Sequence, residues 1–186
     1  MKLLLVIALC LPALTPALIR PALPSDSLAH RTAREAGVKI DVVSERKGLG
    51  AFATKKMKVG SYIGEYRGEI LSKTEVQARI WGRRKTNTKD KEWIRDRKER
   101  GQSITGDYVF EMKTGHFIDC EDADHSSWCR FMNHASEENR NANVKGFDKV
   151  SKDDDVLDFP QFYAIKDIQE GDELVYDYGS RFFKDP

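Results

Sequence analysis

Short strand-like segments separated by glycine turns recur across residues 38–179, with no internal repeat and no long βαβ alternation. That pattern excludes a parallel βαβ architecture and predicts several small sheets. Residues 39–45 alternate apolar and polar side chains as a half-buried strand does, and 47–50 read as a turn before Ala51, Phe52 and Ala53. Residues 62–70, 108–112, 144–147 and 161–165 carry the β-branched and aromatic side chains that suit a pleated surface. Lys113 to Gly115 joins 108–112 to 116–119 as a hairpin, and Gly171 turns the chain into a last short strand.

One helical insertion interrupts these strands. Ser72 and Glu75 have capping-box spacing, with Val76 and Ile80 on one face, so a helix is expected over 73–81. Residues 83–100 hold nine basic and four acidic side chains and only Trp93 and Ile94 as apolar anchors, which predicts a surface helix and loop ended by Gly101. A second charged run, 148–158, holds five acidic and two basic residues and reads as a loop tip around Asp153, Asp154 and Asp155. The basic run suits nucleic acid or an acidic protein. The acidic run, with Glu137 and Glu138, suits a basic tail, although each run also serves as a plain solvated face.

A chain of 186 residues has room for one domain with a real core, and 33% charged residues point to a soluble globular class. Cys10, Cys120 and Cys129 form no C-x-x-C pair and no even framework, so neither a metal site nor a disulfide scaffold is expected. Residues 1–19 carry one lysine, an apolar run from Leu3 to Leu11, and small residues around Thr15 and Ala17, as a signal or targeting segment does. Pro12 and Pro16 break that run, which makes it a poor membrane span, so none is expected once the leader is removed. Residues 20–37 then read as a linker and 38–186 as the domain, with the helical insertion at about 72–106.

Two stretches ask for more than packing. Residues 130–135, RFMNHA, set Asn133 and His134 directly behind two bulky apolar residues. Residues 171–179, GDELVYDYG, end with Tyr176 and Tyr178 at alternate positions. The remainder of the chain reads as the frame that brings the two together.

From about residue 40 to residue 184 the chain resembles a SET domain, the protein-lysine methyltransferase fold. The matching pieces stand in the family's order: KGLGAFA and EYRGEI, then YVFEM with HFIDC, then RFMNHA, then FYAIKDIQEGDELVYDYG. The resemblance implies a mainly β fold of several small sheets with short helices, and S-adenosyl-L-methionine as cofactor. It implies that Lys47, Gly48, Leu49 and Gly50, together with Arg130, Asn133 and His134, hold that cofactor. Glycines suit such a role because they let backbone approach a ligand closely. By the same resemblance Tyr178 orients the substrate amine, Tyr108 walls its channel, and Tyr176 tunes how many methyl groups are added. A phenol of pKa ~10 stays protonated there, whereas a lysine of pKa ~10.4 must lose its proton, which an apolar channel favours.

EYRGEI, YVFEM and VYDYGSR are nearest to the monomethylating histone-lysine branch, which implies a histone tail as substrate, monomethyl-lysine as product, and a monomeric enzyme. The sequence departs from the family in two places. After His134 it continues Ala135, Ser136, Glu137, Glu138, Asn139 in place of the frequent Ser, Cys and Pro-Asn, and no cysteine follows Cys129 to build the zinc segment of many members. Arg181, Phe182 and Phe183 are candidates to cover the adenine or the channel mouth instead. A histone substrate implies the nucleus, whereas the leader implies secretion or an organelle. A non-histone or organellar substrate, a SET-fold binding module without turnover, and a basic protein that binds polyanions through 83–100 stand as alternatives.

Overall fold

The computed structural model describes residues 27–45, 47–147 and 158–179. The leader-like segment 1–19, Asp153, Asp154 and Asp155, and Arg181, Phe182 and Phe183 lie outside the described residues. In chain order come α1 (Leu28–Ala36), β1 (Val38–Ser44), β2 (Gly48–Ala53), β3 (Tyr62–Glu65), β4 (Glu69–Leu71), α2 (Lys73–Arg79), α3 (Thr88–Glu99), β5 (Val109–Glu111) and β6 (Phe117–Asp119). A 3-10 turn (Trp128–Phe131) then leads to β7 (Asn133–His134), β8 (Val144–Phe147), β9 (Gln161–Ala164) and β10 (Val175–Tyr176). β1 and β2 form a hairpin, β4-β6-β5 a small sheet, and β3-β9-β8-β10-β7 a sheet whose β8-β10-β7 end is parallel. The fold is thus mainly β, in several small sheets with short helices. Phe162, Ile118, Met132, Leu174 and Val144 are fully buried at its centre, each worth ~1.5–3 kcal/mol of transfer free energy.

Three segments differ from the sequence expectation. Part of the stretch expected to be linker, residues 28–36, is helix α1, opened by the Ser27 hydroxyl accepting the His30 N–H at 3.3 Å and closed by Gly37 at φ 75°. Only Ala29 and Ala33 of α1 are buried, a stripe too small to register as hydrophobic periodicity. The turn expected over 47–50 lies one step earlier, because Gly48 already pairs with Ser44 and Gly50 with Asp41 in the β1–β2 ladder. Residues 62–70, expected as one strand, split into β3 and β4 in different sheets. At the break Arg67 exchanges hydrogen bonds with Ser127, and a Cβ on Gly68 would stand 2.4 Å from the Asp119 carbonyl oxygen, so the crossing needs glycine.

The insertion follows its caps closely. Ser72 with Glu75 and Asn87 with Asp90 both form complete capping boxes, and Arg79 ties the helices by donating to Glu75 at 2.7 Å and to Asp90 at 2.8 Å. α3, expected to lie on the surface, is anchored by a charge. Arg97 is 1% exposed, lies 4.3 Å over the Trp93 ring, and pairs with Glu69 at 2.8 Å and Asp119 at 3.0 Å. Apolar periodicity cannot detect such an anchor.

Candidate active site

Asn133 and His134 meet the tyrosine stretch through a parallel pairing two residues long, Val175 against Asn133 and Tyr176 against His134. The two stretches singled out in the sequence are therefore neighbours in one sheet. Asn143 fixes the entry to β10: this buried side chain donates to the Glu173 carbonyl at 2.8 Å and accepts the Val175 N–H at 2.9 Å.

The glycine strand joins from the other side. The Ala53 N–H donates to the Asp172 carbonyl at 2.9 Å and the Leu174 N–H to the Ala51 carbonyl at 2.7 Å, so β2 lies along the segment that leads into β10. Asn133 locks the junction, its amide nitrogen donating to the Leu49 carbonyl at 3.2 Å and to Glu173 Oε1 at 2.8 Å. A Cβ on Gly50 would stand 2.4 Å from Val43 Cγ2, 2.9 Å from Glu173 Oε1 and 3.1 Å from Asn133 Nδ2. Close packing there demands glycine. Gly48 has φ 74°, and the exposed Lys47 donates its N–H to Ser44 Oγ at 3.1 Å.

Behind this junction sit the aromatic residues. Tyr176, 8% exposed, has its ring 4.8 Å from Phe162 and 4.7 Å from Tyr178. The Tyr178 hydroxyl donates to the Met132 carbonyl at 2.7 Å, and its ring meets the His134 ring at 5.4 Å. Tyr66 is buried, donates its hydroxyl to the Tyr108 carbonyl at 3.1 Å, and packs on Phe110 at 5.3 Å. Arg130 goes to Tyr108: its guanidinium lies 3.9 Å over that ring and donates to the Glu121 carbonyl at 2.8 Å. Burial pushes the phenols of Tyr66, Tyr176 and Tyr178 above the usual range, so all three stay protonated as donors.

His134 and Asp177 shape the last turn. The Tyr178 N–H donates to His134 Nδ1 at 3.2 Å, which leaves the proton of the neutral ring on Nε2. The Glu137 and Gly179 N–H groups, at 3.0 and 2.8 Å, hold the Asp177 carboxyl below the usual carboxylate range. Asn143, Glu173, Asp177 and Tyr66 were not distinguishable as site residues in the sequence. Asp177 and Glu173 lie inside the GDELVYDYG stretch and Tyr66 inside EYRGEI, so proximity to those motifs was the available signal.

The family model of the SET domain matches residues 48–179, which take in all three converging segments. The chain belongs to the SET domain family. Among curated relatives, this SET domain is 32% identical over 139 residues to N-lysine methyltransferase KMT5A-A of Danio rerio, covering 74% of this chain and 34% of that protein. It is 30% identical over 156 residues to histone-lysine N-methyltransferase mes-4 of Caenorhabditis elegans, covering 76% of this chain and 15% of that protein. With histone-lysine N-methyltransferase SETD2 of Homo sapiens it shares 28% identity over 140 residues, 74% of this chain and 4% of that protein. The matched region is thus about a third or less of the length of these relatives.

Proposed function

We propose that this chain is an S-adenosylmethionine-dependent protein-lysine N-methyltransferase that adds one methyl group to a lysine of a histone tail. One observation carries the reading: the glycine strand, the Asn-His pair and the paired tyrosines, distant in sequence, are joined by direct hydrogen bonds and ring contacts. Membership of the SET family, and relatives named as lysine methyltransferases, support the reaction class.

The residues present fit the cofactor. Nothing lies within 4 Å of where a Gly48 Cβ would stand, and residues 47–49 are exposed, so the backbone at Gly48 is open beside the bond that Asn133 makes to the Leu49 carbonyl. That backbone, the Asn133 side chain and the His134 backbone would hold the adenosine and the amino-acid tail. Arg130 acts behind them by bracing Tyr108. When bound, the cofactor supplies a methyl group already activated by its sulfonium. This chain's own contribution is alignment and desolvation. Tyr178, protonated, orients the amine, and Tyr108 and Tyr176 surround it with ring surface that favours the neutral, nucleophilic form. A tyrosine at 176, in place of phenylalanine, narrows the space left for an amine that already bears a methyl group.

Labelled S-adenosylmethionine incubated with the protein and histones, or whole lysate, tests the proposal. Transfer is expected, with Tyr178→Phe lowering it by about a hundredfold and Tyr176→Phe raising the dimethyl fraction by mass spectrometry. Absence of transfer, or full transfer by Tyr178→Phe, sinks the enzyme reading. Predominant trimethylation by the unmodified protein sinks the monomethyl reading, and transfer to lysate proteins but not histones moves the substrate to the non-histone alternative.

A further inference from the structure

The insertion between β4 and β5 takes no part in the site, and its surface charge is strongly one-sided. Arg83, Arg84, Lys85, Lys89 and Lys91 are all exposed, against Glu92 as the exposed carboxylate within 83–92. Neighbouring acids are consumed internally. Buried Asp90 accepts from Arg79 at 2.8 Å and from the Asn87 N–H at 3.0 Å, and Glu75 accepts from Arg79 at 2.7 Å and from the Ser72 N–H at 2.8 Å. Among the described residues, none of the five cations has an ion-pair partner within 4.0 Å.

These cations stand on a fixed support. The N–H groups of Arg83 and Arg84 both donate to the Gln77 carbonyl, at 2.8 and 3.2 Å, after Gly82 turns the chain at φ 63°. The Arg83 guanidinium lies 5.2 Å over Trp81, whose ring packs edge-on to buried Phe117 at 5.4 Å. Capping boxes and the Arg79–Asp90 pair hold both ends of the loop. Ordering costs on binding are correspondingly reduced.

The kind of partner follows from what the patch lacks. Among the described residues the exposed large apolar side chains are Val42, Leu49, Val59, Tyr62, Phe147 and Ile165, all outside the insertion. A protein partner needs an apolar or aromatic centre, whereas a phosphate backbone needs only cations. We infer that residues 83–91 form a docking ledge for the phosphate backbone of a duplex nucleic acid. The helix that leads into the ledge packs on β5, since Ile80 Cγ2 lies 2.7 Å and Val109 Cγ2 3.8 Å from where a Gly106 Cβ would stand.

Fluorescence anisotropy of the full chain with labelled DNA and RNA duplexes of about 20 base pairs, between about 50 and 200 mM salt, tests the ledge. Binding near a Kd of ~10⁻⁵ M is expected, with a log–log salt slope of about −4.5. The triple variant Arg83→Gln, Arg84→Gln, Lys85→Gln should bind at least about tenfold more weakly with a slope smaller by about 2.7, and Lys89→Gln with Lys91→Gln should reduce it by about 1.8. Circular dichroism checks that each variant is folded, and the tighter duplex identifies the nucleic acid. Wild-type binding by both variants, no binding at the lowest salt, or tighter binding of poly-glutamate than of either duplex overturns the inference. Duplex binding without methyl transfer to any substrate overturns the enzyme reading alone.

Discussion

Tyr178 donates its backbone N–H to Nδ1 of His134 at 3.2 Å, so the Asn-His segment positions the tyrosine through its main chain as well as through ring contact. His134→Ala removes the acceptor and should lower kcat by about tenfold to a hundredfold, with a stability loss of ~1 kcal/mol in urea melts. In His134→Asn a side-chain oxygen is available to accept the same N–H, so kcat should recover in part. Equal loss in both variants would show that the ring itself, and not the hydrogen bond, is what matters.

The pH dependence of kcat/KM should have one rising limb. Burial holds the Tyr66, Tyr176 and Tyr178 phenols above the usual range, so none of them deprotonates as the medium becomes moderately alkaline. The rise then belongs to the substrate amine losing its proton. Tyr178→Phe should show the same rising limb at lower amplitude; a falling limb below about pH 10 that vanishes in Tyr178→Phe would contradict this assignment.

Gly50 and Gly48 should respond differently to alanine. Gly50→Ala drives a methyl group against Val43, Glu173 and Asn133, and should cost ~1–3 kcal/mol and at least about tenfold in retention of labelled cofactor. Gly48→Ala meets open space and only a strained φ of 74°, costing about 1 kcal/mol. Thermal melts and equilibrium dialysis on both variants make the comparison.

Replacing Arg97 should destabilise the insertion more than any exposed charge does. Arg97→Met keeps much of the volume but leaves Glu69 and Asp119 facing each other, with an expected loss of ~3 kcal/mol at neutral pH. Burial already raises the Asp119 carboxyl above the usual range, with Arg97 pulling it only part-way back. A carboxyl raised on folding costs stability while it is charged, and that cost is relieved as pH falls through its folded-state value. Removing Arg97 raises it further, so the difference between variant and wild type should shrink as pH falls from 7 toward 5 in denaturant titrations.

Motifs with a fixed backbone role were legible in the sequence: the Ser72 capping box and the hairpin around Gly115 form as expected, and the Asn133–His134 pair and the Tyr176–Tyr178 stretch lie side by side in one sheet. The polar braces were not. Asn143, Arg97 and Asp177 resemble surface residues by type, and only tertiary partners more than twenty residues away, or a turn that closes late, make them structural. Helix α1 was missed for a related reason: two alanines carry its buried face, and alanine contributes too little apolar area to mark a stripe.

The junction described above spans 84 residues of chain between Asn133 and Leu49, and 44 between Tyr178 and His134. No fragment shorter than the stretch from Leu49 to Tyr178 contains it, so the junction forms only when most of the domain is folded. A ligand held at that junction acts as a stabiliser of the whole native state, by ~2.7 kcal/mol at a hundredfold excess over Kd. Occupancy would then govern how long the protein survives in a cell as well as how fast it turns over.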